Sequence, residues 1–350
     1  MSRQVAAARN LAVSARSTRH VKTLPTPEEL ARICPLDALS TARIARQRET
    51  VRDILAGRDD RLLVITGPCS LHDRHATLDY GRRLADLADE LADDAVLMMR
   101  AYVEKPRSTV GWKGLLHDPG LDASHDMTRG LKLSRELLIE LAQLGLPVAT
   151  ELLTPLAVDY LADTLTWAAI GARTTESQTH RERVSALDMP VGFKNSTDGE
   201  IGAAIDAIQA ASQPQHYFGI DDQGQPAALA TPGNPDTHLI LRGGRTGPNY
   251  DSAQVARASE ALSALGRTAR LIIDCSHANS GKKAVRQPAI LAELAARRRE
   301  GETAIAGVML ESHLAFGKQA IGADMAYGVS VTDECLDWAR TAKALRAALG

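Results

Sequence analysis

Eight short apolar runs, at residues 62–68, 96–101, 147–151, 167–173, 190–194, 238–242, 271–275 and 305–310, alternate with longer amphipathic segments. That rhythm of strand-length and helix-length periodicity is the mark of βα units on a parallel sheet. The intervening segments at 77–91, 131–144, 199–211, 252–265 and 285–299 carry helical spacing. Eight such units predict a closed (β/α)8 TIM barrel. A doubly wound sheet usually has fewer strands and announces a Gly-rich phosphate turn, and neither GxGxxG nor a Walker loop occurs.

Two stretches break the rhythm. Residues 1–60 form an N-terminal extension: a polar tail, the Pro-rich turn "TLPTPEEL", then an amphipathic helix. Ile44, Val51, Ile54 and Leu55 share one face of that helix, and Gly57 closes it. Residues 214–233 read as an inserted β-hairpin turning at Asp222-Gln223-Gly224-Gln225, so the catalytic barrel is expected to span 61–350.

Bulk properties narrow the function classes. A net charge of -2 argues against nucleic acid or an anionic membrane as partner. No window is apolar enough to cross a bilayer, and the start has no signal-peptide pattern. The four cysteines lack disulfide-framework spacing, which fits a reducing, cytoplasmic setting.

In a barrel of this kind every strand's C-terminal end opens on the face that carries the active site. The eight runs finish in Cys69; Arg100 with Lys105 and Arg107; Glu151; Arg173; Lys194; Arg242; His277; and Glu311. Taken singly, each cation is ordinary loop polarity. Six of them on one mouth repel, so they call for an anionic ligand such as a phosphate plus a carboxylate. Cys69, His277, Glu311 and Asp333 form a second set, suited to a divalent transition metal such as Mn, Fe, Co or Zn. Singly, Cys69 reads as core filler, His277 as a structural histidine, and Asp333 as the N-cap of the last helix. Jointly those readings fail. Cys335 lies two residues from Asp333, which places it near Cys69 and makes a disulfide conceivable when metal is lost.

The segments "GPCSLHD", "MRAYVEKPRSTVGWKGLLHDP", "IGARTTESQTHR", "GFKNSTDG", "LILRGG", "DCSHANSGKK", "GVMLESHL" and "YGVSVTDECLDW" resemble, in order, the type I 3-deoxy-D-arabino-heptulosonate 7-phosphate (DAHP) synthases. The resemblance runs from about residue 24 to residue 338. It implies condensation of phosphoenolpyruvate with erythrose 4-phosphate at a divalent metal, opening the shikimate pathway to the aromatic amino acids. It also implies a homodimer or homotetramer inhibited by an aromatic amino acid. The family's metal ligands fall on Cys69, His277, Glu311 and Asp333, and its phosphoenolpyruvate contacts on Arg100, Lys105, Arg173, Lys194 and Arg242. Its aldehyde-phosphate loop falls on Lys105, Pro106, Arg107 and Ser108, with Ser108 in place of the usual threonine. Lys105 is the expected proton donor, with water near His277 or Glu311 as the alternative. Ser196 replaces a common glycine. In the regulatory region, Asp188 and Val158-Asp159 stand where phenylalanine-inhibited relatives usually have Ser and Pro-Gln. Two added carboxylates there would favour an ammonium, repel a carboxylate, and alter or weaken inhibition. Two alternatives remain at this level: a related synthase using another aldose phosphate, and a non-catalytic effector-binding homologue.

Overall fold

The computed structural model describes residues 21–107 and 110–350. Its elements, in chain order, are α1 Pro27–Ile33, α2 Ala38–Ala56, β1 Leu62–Gly67, α3 Arg74–Glu90, β2 Ala95–Arg100, α4 Met127–Gln143, β3 Val148–Glu151, α5 Val158–Leu161, β4 Trp167–Ile170 and α6 Gln178–Val184. There follow β5 Val191–Lys194, α7 Gly202–Ala211, β6 Gln215–Ile220, β7 Pro226–Thr231, β8 Thr237–Leu241, α8 Ser252–Ala264, β9 Leu271–Asp274, α9 Gln287–Arg299, β10 Ile305–Glu311 and α10 Trp338–Leu349.

Around the barrel the order is β1, β2, β3, β4, β5, β8, β9, β10, closing on β1, with every neighbour parallel. The chain is thus a (β/α)8 barrel, as the eight apolar runs predict. Both faces of each strand are buried, which is why the runs read as continuous rather than alternating. One core layer lies between strands and helices, and includes Val64, Leu138, Ile170 and Leu291. A second lies inside the barrel, where Leu63, Ile65, Met98, Trp167, Ile240 and Ile272 meet. The antiparallel pair β6–β7 forms the expected hairpin outside the barrel.

Helix α2 closes the barrel's N-terminal end. Its Val51 and Ile54 are fully buried against the interior layer, with Leu55 packed beside them. Arg48 donates to the carbonyls of Ala162, Leu165 and Asp188, and Arg52 pairs with Asp236. Gly57 ends the helix with a left-handed φ of 77°. The segment read as a Pro-rich turn in part folds as α1. Thr26 and Glu29 form a reciprocal capping box around Pro27 at the first helical position. Among the described residues no helix is long and apolar enough to cross a membrane.

Candidate active site

The C-terminal ends of the strands surround a cavity of about 280 Å³ lined by Arg100, Lys105, Arg107, Glu151, Arg173, Lys194, Arg242, His277 and Asp333. The six cations named from the sequence therefore share one mouth. Ser108 lies outside the described residues.

The arrangement of charges differs from the expectation in one respect. The cations do not wait on a ligand for all their compensation, because carboxylates are interleaved with them. Arg100, at the end of β2, lies 3.0 Å from Glu311 and stacks its guanidinium 3.6 Å from the Tyr102 ring centroid. Lys194, at the end of β5, sits 3.3 Å from Glu151 and 3.5 Å from Asp274. Lys105 sits 3.2 Å from Asp333 and donates to the Cys69 sulfur at 2.7 Å. Burial works against the Lys105 ammonium, but Cys69, Glu311 and Asp333 outweigh it and hold its pKa above the ordinary lysine value. Lys194 is likewise held high, against burial, by Tyr102, Glu151 and Asp274. Both are cations at neutral pH.

Donor atoms of Cys69, Glu311 and Asp333 all lie within 4.8 Å of one another. The Cys69 thiol hydrogen-bonds Asp333 Oδ2 at 3.5 Å. His277 is at the edge of this group, its Nε2 3.9 Å from Glu311 Oε1. Its other nitrogen, Nδ1, is 2.9 Å from Asp274 and 2.7 Å from the Ser276 hydroxyl, which fixes the ring. Burial raises the Glu311 carboxyl, yet His277, Arg100 and Lys105 bring it below its usual value. Burial and then the Glu311 charge push the Cys69 thiol up to about 11. A soft sulfur with two carboxylates and an adjacent imidazole is a donor set that fits a divalent transition metal. Cys335 is buried close by, and both it and Cys69 are free thiols. The reading of Asp333 as a helix cap is overturned: Asp337 caps α10, accepting from the Arg340 amide.

Sequence reasoning missed a relay of three buried asparagines. Asn195 Oδ1 accepts from the Arg242 amide, and Asn249 Nδ2 donates to the same oxygen. Asn279 Oδ1 accepts from the Asn249 amide, while its Nδ2 donates to the carbonyls of Leu241 and Asp274. These contacts tie the strand ends that carry Lys194, Arg242 and His277. The signal was available, since Asn195 and Asn279 sit one and two residues from the charged positions.

In the region read as regulatory, both carboxylates have arginine partners. Asp159 on α5 pairs with buried Arg183 on α6, and Arg183 also donates to the Tyr217 hydroxyl at 2.5 Å on β6. Exposed Asp188 is 2.6 Å from Arg52. Each of the two carboxylates thus has a cationic neighbour.

A sequence model described as the DAHP synthetase I family matches residues 38–346. The chain is 50% identical over 328 residues to the Tyr-sensitive phospho-2-dehydro-3-deoxyheptonate aldolase of Escherichia coli (strain K12), covering 93% of this chain and 92% of that protein. It is 46% identical over 330 residues to the Phe-sensitive enzyme of the same strain, covering 94% of each. Among solved structures, a phospho-2-dehydro-3-deoxyheptonate aldolase from Francisella tularensis SCHU S4 superposes with a TM-score of 0.92. It is 40% identical, over 95% of this chain and 97% of that one.

Proposed function

The chain belongs to the DAHP synthetase I family, and we propose that it condenses phosphoenolpyruvate with erythrose 4-phosphate at a metal site built from Cys69, His277, Glu311 and Asp333. It is a DAHP synthase, a transferase of the shikimate pathway, related at about half-identity to enzymes named for aromatic amino-acid sensitivity. The observation that supports the metal-dependent reading is the clustering of Cys69 after β1, Glu311 at the end of β10 and Asp333 in the segment between β10 and α10, directly beside the cationic mouth.

In this reading Arg100, Arg173, Lys194 and Arg242, with Lys105, hold the phosphate and carboxylate of phosphoenolpyruvate. Arg107 and Ser108 hold the aldose phosphate. A bound divalent metal supplies Lewis acidity toward the aldehyde oxygen. Orientation by the cations brings C3 of the enol phosphate to the aldehyde carbon, which is catalysis by positioning. Carbon–carbon bond formation leaves cationic character at C2, where water adds. The resulting hemiketal phosphate collapses, and the C2–O bond to phosphate breaks with release of inorganic phosphate. Lys105, held protonated, gives its proton to the new alkoxide.

The extension 1–60 is assigned to oligomer contacts and regulation, with 61–350 as the catalytic barrel; a homodimer or homotetramer and an aromatic amino-acid effector complete the proposal. Phosphate release from the two substrates, measured after chelation and again after adding Mn(II), tests the reading. Activity lost and then restored supports it. Activity indifferent to thorough chelation removes Cys69 as a catalytic ligand, and no activity with any metal favours a different aldose phosphate or a non-catalytic role.

A further inference from the structure

The mouth depends on where the segment after β2 is held, since Lys105 and Arg107 belong to that loop rather than to a strand. Its neighbour Glu104 is 3% exposed, and its carboxylate meets His117, Leu153 and Thr154. Glu104 Oε1 lies 2.9 Å from His117 Nε2 and accepts from the Thr154 hydroxyl at 2.6 Å. Oε2 accepts from the backbone amides of Thr154 at 3.2 Å and Leu153 at 3.4 Å. One buried side chain thus gathers four contacts from two distant segments. Oε2 must accept, since both its partners are backbone N–H groups, and a carboxylate lets Oε1 accept from the hydroxyl and the imidazole as well.

The segments it joins are themselves anchored. On one side, the Lys105 amide donates to the Lys113 carbonyl at 2.9 Å and the Leu116 amide to the Val103 carbonyl at 3.1 Å. Gly114 lies between those bonds at φ 111°, and a side chain there would come within 2.6 Å of the Glu104 Cα. On the other side, the Leu153 carbonyl lies 2.9 Å from His180 Nε2 on α6, and His180 Nδ1 lies 2.8 Å from Ser177. Thr154 leads directly into the turn before α5.

We propose that Glu104 is a positioning residue for the reaction: a buried strap that fixes the Lys105–Arg107 loop against the loop after β3. It touches no substrate; it acts through the residues that do. The inference rests on the assignment of Lys105 and Arg107 to the substrates made above.

Glu104→Leu tests it, because an apolar side chain of similar size surrenders all four contacts, whereas in Glu104→Gln the amide NH2 can still donate to the Thr154 hydroxyl or the His117 ring. The expected result is a fall of about tenfold or more in kcat/KM for erythrose 4-phosphate, since sub-ångström loop errors are costly in positioned reactions. KM for phosphoenolpyruvate rises by no more than about threefold, because, of its five cations, only Lys105 lies on this loop while Arg100, Arg173, Lys194 and Arg242 sit on other elements; each tenfold corresponds to about 1.4 kcal/mol. Amide hydrogen exchange, read without reference to activity, rises together at Lys105, Leu153 and Thr154, whose amides the strap protects directly or holds in place, and nowhere in the barrel strands. Unchanged exchange at Lys105 overturns the strap. So does a parallel loss for both substrates that tracks a lowered Tm, which would make Glu104 merely structural. A wild-type protein that releases no phosphate overturns the functional reading instead, while the exchange pattern still decides the strap.

Discussion

Replacing Lys105 with methionine keeps most of the stem's volume and removes the ammonium. That ammonium lies 3.2 Å from Asp333 and 3.9 Å from Glu311. At an effective dielectric near 20, a unit charge 3.9 Å from the buried Glu311 carboxylate is worth about 4 kcal/mol. The Asp333 side chain is 51% exposed, so water screens much of its share. Glu311 keeps Arg100 at 3.0 Å, so it is not left as an isolated buried charge, and the fold is expected to survive. The chemical consequence is larger than the structural one. A positioned general acid contributes roughly 10²–10⁴-fold, or about 3–5 kcal/mol of barrier. Steady-state phosphate release with each substrate varied in turn should show kcat down by about 100-fold or more. KM for either substrate should rise by less than about tenfold, with circular dichroism unchanged. A Lys105→Met enzyme that keeps its kcat and shows only a raised KM refutes the proton-transfer role. Lys105 would then be a clamp, and water near His277 or Glu311 the better donor.

Two further perturbations probe other parts of the molecule. His238, buried on β8 with its Nε2 accepting from the Trp167 indole at 3.1 Å, is driven by burial down to about 4. Its folded pKa lies below the unfolded value near 6.5, so its contribution to stability is complete above pH 6.5 and is lost as pH falls towards 4. The loss is about 3 kcal/mol at 25 °C. Denaturant titrations should show this acid slope shallower in His238→Phe than in wild type, and identical slopes would remove His238 as its source. Arg183→Met strips Asp159 of its partner and should weaken inhibition by whichever of Phe, Tyr or Trp acts by about tenfold, with Asp159→Asn restoring it in the double variant. Inhibition that ignores Arg183 altogether would place the effector elsewhere.

What the sequence disclosed and what it withheld follow from the range of the interactions involved. Strands buried on both faces are written as unbroken apolar runs, so their number, order and closure were readable, and with them the residues standing at their ends. Helix α1 was hidden because Pro25 before it and Pro27 at its first position suggest a turn, although Thr26-Pro27-Glu28-Glu29 spells a capping box. Position at a strand end is a local property; the partner of a charge is not. Asp274 reaches Lys194 across the barrel, Glu104 reaches Thr154 over 50 residues, and Arg183 reaches Asp159 over 24, and no spacing rule announces such pairs. Hence the cations that the sequence grouped do line one cavity, while their compensation was misjudged. The same limit explains Asp333 and Asp337: both precede the last helix in sequence, and only the fold directs one to the helix amides and the other to Cys69 and Lys105. A mouth with its own carboxylates has a chemical consequence too. Lys105 and Lys194 are held as cations by the protein before any phosphate arrives, so the ligand meets preorganised charge and need not induce it, which is the condition under which electrostatic catalysis costs least reorganisation.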